Sequence, residues 1–343
     1  MLTKSKWLVS VIGVFLAAVA LAATGPGDHV ITTYKVGGDG GWDYLTADSE
    51  ARRVYISRGT HVMVIDADSG KSVGDIADTP GVHGIALAAE LGRGFVSNGQ
   101  EGTVSIFDMK TLATSSKVKV GDNPDAILYD PATKRVFTCN GRSHDSTAID
   151  AMSGKVLGTI PLDGKPEFAA SDAKGEIFVN IEDKSELTAI DSHKLEVKST
   201  WPLAPCTEPS GLSIDRKNRR LFVGCNNKMM AVVDADSGKV IATPSIGEGV
   251  DATTFDPKTE LAFASCGADG VLTIIHEESK DKFTVAENVP TQKGARTLAL
   301  DSKTHNVFVV TAQFGPRPAP TADNPHPRPP IVPDSFVVLV VGQ

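Results

Sequence analysis

A repeated unit of about 42 residues constrains the fold of this chain more than any other feature of its sequence. The clearest copy runs from Asp125 to Pro166. It contains four short, mainly apolar runs, at 126–130, 136–139, 147–150 and 156–162. Turn-forming residues separate these runs at 131–135 and 151–155, and a polar loop occupies 140–146. Since glycine, proline and aspartate each favour tight turns, the four runs are predicted to be the strands of one small sheet.

Two markers count the copies. An aspartate closes the third run at Asp66, Asp108, Asp150, Asp191 and Asp234, with His276 in the same position of the sixth copy. An aromatic residue centres the second run at Tyr55, Phe95, Phe137, Phe178, Phe222, Phe263 and Phe308. Periods of about 40 to 45 residues with four strands each are typical of β-propellers. The sequence therefore predicts an all-β, WD-repeat-like propeller with seven four-stranded blades.

The two ends of the chain are predicted to share the last blade. Phe336–Val341 has the pattern of a third strand, and residues 30–36 are expected to supply the missing fourth strand. Such pairing closes the ring and removes two open sheet edges. A proline-rich insert at 316–333 interrupts blade seven, and its role as a lid, a partner motif or a tolerated surface insertion stays open.

The first residues have the pattern of an export signal. Two lysines precede an apolar run from Trp7 to Leu21, and Ala20-Leu21-Ala22 supplies small residues for cleavage. We expect residues 1–22 to be a signal peptide and residues 23–343 to form one periplasmic or secreted domain, without a transmembrane segment and monomeric. An uncleaved anchor is the alternative, although the run is shorter than the roughly 20 residues of a spanning helix.

The charge of the chain bears on its partners. The formal net charge is −8, and removing the two leader lysines takes it to −10. A domain with this charge and without a basic run should repel nucleic acid. A nucleic-acid partner is therefore not expected.

The four cysteines, Cys139, Cys206, Cys225 and Cys266, contain no C-x-x-C pair. A zinc ribbon and covalent haem attachment are therefore not indicated. Cys206 lies in the connection leading into blade five, and Cys225 ends the second strand of that blade. Because both positions fall near one rim, a disulfide between them is expected, with four free thiols as the alternative.

The second strands carry a family resemblance. The motifs Phe95-Val96-Ser97-Asn98, Phe137-Thr138-Cys139-Asn140 and Ile177-Phe178-Val179-Asn180 recur together with Ile-Asp closures, one of them the Val-x-x-Ile-Asp closure at 62–66, and Ser-Gly-Lys turns. In these motifs the chain resembles the YncE-like, YVTN-repeat family of exported seven-bladed propellers. The resemblance implies the fold, and it adds single-stranded nucleic-acid binding as a further hypothesis. That family is similar to propellers that host lactonases, quinone cofactors or haem d1, so the fold alone does not assign an activity.

One residue per blade marks a candidate site. The positions that lead into the innermost strands are Asp43, His83, Asp125, Glu167, Ser210, Asp251 and Arg296, here called the mouth residues. Because all innermost strands of a propeller run in one direction, the mouth residues should surround one end of the central channel. Loops between second and third strands should add Asn98, Asn140 and Arg142 to the same face. Polar groups around a channel mouth are a candidate ligand site, and ordinary wet surface is the alternative.

Two functions compete for this site. The first is a binding or scaffold protein whose unknown small molecule or protein partner occupies the mouth, through Asp43, His83, Asp125, Glu167, Asp251 and Arg296 with Asn98, Asn140 and Arg142. The second is a lactonase-like hydrolase, since carboxylates with His83 suit a divalent cation. Catalytic residues and metal ligands stay unassigned, because the sequence lacks G-x-S-x-G, H-E-x-x-H and phosphate-loop motifs. Single-stranded nucleic-acid binding ranks third.

Overall fold

The computed structural model describes residues 27–38, 40–321 and 327–343. The predicted signal peptide at 1–22 lies outside these residues, as do positions 322–326 of the proline-rich insert. The described residues form seven antiparallel sheets of four strands each. The predicted seven-bladed β-propeller is thereby confirmed.

The blades follow the chain. The closing strand and blades one and two are β1 His29–Lys35, β2 Leu45–Asp48, β3 Arg53–Ser57, β4 Val62–Asp66, β5 Ser72–Ile76, β6 Val82–Ala88, β7 Arg93–Asn98, β8 Thr103–Asp108 and β9 Thr114–Lys119. Blades three and four are β10 Pro124–Asp130, β11 Arg135–Asn140, β12 Asp145–Asp150, β13 Val156–Pro161, β14 Pro166–Ser171, β15 Glu176–Ile181, β16 Glu186–Asp191 and β17 Glu196–Pro202.

The remaining blades complete the ring. They are β18 Pro209–Asp215, β19 Arg220–Cys225, β20 Met229–Asp234, β21 Val240–Ala242, β22 Val250–Asp256, β23 Leu261–Cys266, β24 Val271–Ser279, β25 Lys282–Pro290, β26 Arg296–Leu300, β27 Val307–Thr311 and β28 Val337–Gly342. Two single-turn 3₁₀ helices, Ala89–Leu91 and Glu182–Lys184, lie in blades two and four.

The first strand of each blade lines the central channel. Each of these strands contacts the first strand of the next blade, and β26 contacts β2 to close the circle. The second strands are almost wholly buried, whereas outer strands such as β9 are mostly exposed. This gradient follows from the geometry, because inner parts of a blade pack on two neighbours and the outermost strand faces water.

The aromatic marker residues fill the spaces between blades. Phe137 of blade three, for example, is buried in one cluster with Ile177 and Val179 of blade four. Burying a side chain of this size contributes roughly 1.5 to 3 kcal/mol. The marker recurs once per blade because every blade interface needs an equivalent filler.

The chain termini share blade seven as the sequence predicts. Strand β1 pairs antiparallel with β28, from Val30 opposite Val341 to Lys35 opposite Val337. The Tyr34 hydroxyl also donates a hydrogen bond to the Ala67 carbonyl at 3.1 Å. The predicted closure by residues 30–36 is confirmed, within one residue at each end.

Blades six and seven depart from the other blades. Strands β24 and β25 are nine residues long, because the chain continues as a strand past His276 instead of turning. In blade seven, the insert leaves and returns at one point, where Phe314 forms a bridge with Ile331. The Gly315 amide donates to the Pro330 carbonyl at 2.8 Å, which ties the ends of the insert together.

The cysteines differ in their surroundings. Cys206 and Cys225 form a disulfide, with Cα atoms 5.4 Å apart, whereas Cys139 and Cys266 are free and buried. The described part of the chain contains no helix with the length and apolarity needed to span a membrane.

Candidate ligand-binding site at the channel mouth

Backbone irregularities place the mouth residues. In blade three, Pro124 pairs with Asn140, but the next pair is Ile127 with Thr138, so the backbone bulges at Asp125 and Ala126. Equivalent shifts occur at the start of the innermost strands in blades two, four, five, six and seven. A β-bulge re-aims a side chain relative to the regular alternation of a strand. In blades two, four, five and six, the bulge carries one mouth residue in the position that Asp125 has in blade three. These residues are His83, Glu167, Ser210 and Asp251.

Second-strand side chains hold this bulged backbone. Ser97 Oγ accepts a hydrogen bond from the Gly84 amide at 2.8 Å and donates to the Asp125 carbonyl at 2.5 Å. In blade one, Ser57 Oγ accepts from the amides of Asp43 and Tyr44 at 3.1 and 2.8 Å. Both serines follow the aromatic marker by two residues, as Ser265 does in blade six, so three of the seven blades carry a serine at this position.

Three mouth residues from three blades form one cluster. His83 Nδ1 lies 2.5 Å from Asp43 Oδ2 and 3.7 Å from Asp125 Oδ1. One ligand atom from each of the three residues lies within 4.8 Å of the other two. Burial lowers the pKa of His83, but the hydrogen bond to Asp43 and the nearby carboxylates outweigh it and raise the pKa overall. One imidazole and two carboxylates are a donor set that fits a divalent cation.

Arg296 of blade seven links this cluster to blade six. Its Nη1 lies 3.3 Å from Asp43 Oδ1 and 3.3 Å from Asp251 Oδ1. Its Nη2 donates to the Trp42 carbonyl at 2.9 Å. Arg296 therefore offsets part of the negative charge of the mouth, on one side only.

An acidic cavity of about 330 Å³ also opens at the mouth and includes Asp43 and Asp251, the two partners of Arg296. Its lining residues are Asp43, Tyr44, Asp125, Glu167, Phe168, Glu182, Glu208, Ser210, Asn226, Val250 and Asp251. Lys165 Nζ lies 2.7 Å from Glu167 Oε1 and also contacts Glu182. The six lining acids thus outnumber the nearby cations, Lys165, Arg296 and His83.

Burial decides the protonation of these acids. The side chains of Asp125 and Glu167 are only 18% and 14% exposed. Burial raises the pKa of Asp125 to about 6, although the charge of His83 lowers it. Burial, followed by the charge of Asp125, raises the pKa of Glu167 to about 8. The pKa of Asp251 is also raised by burial, against the lowering effect of Arg296. The cavity therefore retains protons near neutral pH that a cationic ligand would displace.

Two aromatic residues contribute to the same cavity. The rings of Tyr44 and Phe168 stack with centroids 4.7 Å apart. The Tyr44 hydroxyl is buried and has no hydrogen-bond partner among the described residues. Burial and four surrounding carboxylates raise the pKa of Tyr44, so its hydroxyl remains a donor. A ligand acceptor would satisfy it.

A second cavity, the mouth cavity, opens above Asp43 and has a volume of about 640 Å³. It is lined by Gly41, Trp42, Asp43, Gly59, Gly81, Val82, His83, Gln100, Arg296 and Arg328. Asp43 lines both cavities, so they adjoin. Arg328 comes from the proline-rich insert, which therefore reaches the mouth.

Three of the predicted site residues lie elsewhere. Asn98 is completely buried in its own blade, where its Nδ2 donates to Thr103 Oγ1 and Ser105 Oγ. Asn140 is equally buried and donates to Asp145 Oδ1 and Thr147 Oγ1. Arg142 is exposed in the loop after Asn140. None of the three side chains lines either cavity, and the two asparagines instead join the second and third strands of their blades.

The predicted site lacks several residues that line the cavities, among them Tyr44, Phe168, Glu182, Glu208 and Arg328. A signal was present for the first two, because an acid followed by an aromatic residue leads into blades one and four, as Asp43-Tyr44 and Glu167-Phe168. No local pattern marks Glu182, Glu208 or Arg328, since Glu182 begins a short 3₁₀ helix and the other two lie in loops of unrelated sequence.

Comparisons with known proteins agree with this architecture. No family model matches the chain. The uncharacterized proteins YncE of Salmonella typhi and Salmonella typhimurium are each 21% identical over 192 residues, which is 54% of this chain and 54% of each relative. The chain therefore spans about half the length of the curated relatives it matches.

Solved structures share the fold at low sequence identity. A chain of hydrazine synthase from Kuenenia stuttgartiensis is 16% identical, with a TM-score of 0.68, and the match covers 80% of this chain and 94% of that one. A chain of the mitotic checkpoint complex is 13% identical, with a TM-score of 0.74 and 99% of both chains covered. The protein is thus a seven-bladed β-propeller with similarity to YncE over half of its sequence.

Proposed function

We propose that this protein is an exported binding protein whose ligand or partner occupies the channel mouth. The mouth residues come from all seven blades, and cavities of about 330 and 640 Å³ adjoin at Asp43. Concave sites with a few convergent polar groups are where propellers and other folds bind ligands. The proposed ligand is small, or is the protruding end of a larger partner.

One observation carries this proposal: the acids of the mouth converge on one cavity, where burial opposes their ionisation. Asp125 and Glu167 are held close together, and burial raises the pKa of both. Burying ionisable groups against one another costs stability unless a ligand offsets the charge. Groups that weaken a fold and converge on one cavity are best explained by binding.

The test is the double variant Asp125→Ala with Asp251→Ala. Thermal shifts of wild type and variant are compared with Ca²⁺, Mg²⁺, Mn²⁺, putrescine and a panel of small cationic metabolites. The expected result is stabilisation of wild type by at least one compound and loss of that effect in the variant. The control is Asp66→Ala with Asp150→Ala on the opposite face. Equal responses of wild type and both variants to every compound would contradict the proposal.

Export is tested separately. The signal-peptide hypothesis places the mature N-terminus at Ala23 or Thr24, because small residues follow the apolar run there. Intact-mass measurement of protein from the culture medium or periplasm should give one of these two termini. Retention of Met1 would indicate an anchored protein instead.

A cation-dependent, lactonase-like hydrolase is the second candidate, and the cluster of Asp43, His83 and Asp125 favours it. A bound divalent cation would polarise a lactone carbonyl. Burial raises the pKa of Glu167 to about 8, so it would accept a proton from water only in its ionised form, which a bound cation would favour. Tyr44 would donate a hydrogen bond to the developing negative charge.

Metal analysis separates the two candidates. A hydrolase of this type should contain one divalent ion per chain, lose it to a chelator and lose lactone hydrolysis with it. His83→Ala should then abolish both metal content and turnover. Metal-free protein that binds a ligand without consuming it would instead support the binding protein.

A further inference from the structure

The mouth cavity continues into an apolar groove formed with the proline-rich insert. This apolar groove has a volume of about 280 Å³ and is lined by Gly41, Trp42, Gly294, Arg296, Phe314, Arg328, Pro329 and Ile331. It shares Gly41, Trp42, Arg296 and Arg328 with the mouth cavity. The acidic cavity, the mouth cavity and the apolar groove therefore form one continuous surface.

Charge is sorted along this surface. The acidic cavity carries six carboxyl groups, whereas the end near blade seven carries Arg296 and Arg328. Arg296 is already paired with Asp43 and Asp251. Arg328 is exposed, and no described acid forms a salt bridge with it. The insert thus adds an available cation to the mouth cavity and the apolar groove, outside the lining of the acidic cavity.

The residues of the apolar groove are held in place by packing and backbone contacts within the fold. The ring centroids of Trp42 and Phe314 lie 6.0 Å apart, and those of Trp42 and Phe336 lie 5.3 Å apart. The bridge between Phe314 and Ile331 fixes both sides of the insert. Phe314 is nevertheless 42% exposed, which leaves part of its ring available to a ligand.

We infer that the mouth binds a short peptide with free termini and an apolar C-terminal residue. Its ammonium group would enter the acidic cavity, its carboxylate would meet Arg328, and its last side chain would lie against Phe314 and Ile331. This inference rests on the proposed binding function. Arginine pairs with carboxylates through strong charge-assisted hydrogen bonds, and carboxylates do the same for ammonium groups.

The separation of charges favours a peptide over a single amino acid. An amino acid carries both charged groups on one carbon, whereas the mouth cavity of about 640 Å³ lies between the acidic cavity and the apolar groove. Each extended residue adds about 3.3 to 3.6 Å, so a peptide of a few residues reaches across such a space. Polyphosphates and nucleotides fit poorly, because the six carboxyl groups would repel them.

The experiment compares the peptide Ala-Ala-Phe in three forms by isothermal titration calorimetry. The forms are the free peptide, its C-terminal amide and its N-acetyl derivative. The proteins are the full mature chain, Arg328→Gln, and Asp125→Asn with Asp251→Asn. Arg317→Gln, in the same insert but not in the apolar groove, is the matched control.

Blocking either terminus of the peptide should weaken its binding, and removing the protein group that contacts that terminus should abolish the effect of blocking it. In wild type and Arg317→Gln, amidation and acetylation should each weaken binding about 10-fold or more, the equivalent of about 1.4 kcal/mol. In Arg328→Gln the amide and the free acid should bind equally. In the aspartate variant the acetylated and free peptides should bind equally.

Several outcomes overturn the inference. One is equal binding of the free peptide and its amide to wild type, and another is persistence of the amidation effect in Arg328→Gln. Absence of any peptide binding to wild type also overturns it. The proposed function is judged independently by the cation panel: if putrescine or a metal ion binds through Asp125 and Asp251 while peptides do not, that function stands and the peptide inference falls.

Discussion

Aspartates on the two faces of this propeller have opposite surroundings. On the face with the Ser-Gly-Lys turns, Asp150 accepts hydrogen bonds from the Ser153 hydroxyl and amide at 2.6 and 2.7 Å, and these bonds lower its pKa. Asp191 accepts from the Lys194 amide at 2.9 Å, with the same effect on its pKa. At the mouth, burial instead raises the pKa of Asp125 to about 6.

The difference shows which acids serve the fold. A carboxylate that accepts backbone N–H bonds in a turn stabilises that turn and favours its own ionisation. For the mouth acids Asp125 and Glu167, burial and repulsion by other acids outweigh the nearby cations His83 and Lys165, so their ionisation opposes folding. Residues that break a local stability rule without compensation within the fold are expected at functional sites.

The largest expected effect comes from replacing a buried acid on the face with the Ser-Gly-Lys turns, here called the turn face. Asp172 is 3% exposed, accepts from the amides of Lys174 and Glu176, and pairs with Arg219 at 2.9 Å. Asp172→Ala should destabilise the protein by about 3 to 5 kcal/mol, because it leaves Arg219 and two amides without this partner. Urea unfolding measures this. At urea concentrations below the unfolding transition, ligand binding at the mouth should be unchanged. A loss of less than 1 kcal/mol in the free energy of unfolding would contradict the view that this acid stabilises the fold.

The second expected effect is a fall in stability as pH rises. Asp125 and Glu167 have raised folded-state pKa values of about 6 and 8, so the folded state holds protons that the unfolded state has released. The raised pKa of His83 acts in the same direction, and so does that of Glu277, which burial on the other face raises to about 7. Stability should therefore drop by about 2 to 4 kcal/mol between pH 5 and pH 8. Urea titrations at several pH values test this, and a rise across the same range would contradict it.

A single neutralising substitution should remove much of that fall. Glu167→Gln cannot ionise, so at pH 8 it should be more stable than wild type by about 2 kcal/mol, with little difference at pH 5. For a chain of this size, that corresponds to a rise of several degrees in Tm. Glu176→Gln, on the turn face, is the control and should not stabilise. A Glu167 variant that is less stable than wild type at pH 8 would show that the fold needs this acid.

The smallest expected effect concerns the support of the mouth. Ser97→Ala removes hydrogen bonds to the Gly84 amide and the Asp125 carbonyl, so it should cost about 1 to 2 kcal/mol. The substitution also loosens the bulge that orients Asp125. The loss in binding free energy of the ligand should therefore exceed the loss in free energy of unfolding. Ser153→Ala provides the turn-face control, with a similar small cost and unchanged binding. Unchanged binding in Ser97→Ala would mean that the bulge is rigid without this hydroxyl.

The fold was largely predictable because its information is local and repeated. One aromatic filler, one turn and four apolar runs recur in each copy, so blade number, strand order and the closure by β1 could be inferred without a structure. The residue leading into each innermost strand could also be located, since every blade repeats that position. Loops were less tractable: Asn98 and Asn140 end their strands in equivalent positions, yet both bond within their own blades.

By itself, the sequence determined seven blades of one pattern and the residue types around one channel opening. Only the tertiary structure decided which groups meet. Asp43 and Arg296 are 253 residues apart in the chain and 3.3 Å apart in space, and Arg328 reaches the mouth from the insert. The physical reason is that strand formation depends on neighbours along the chain, whereas burial, charge repulsion and protonation depend on all blades that surround one cavity.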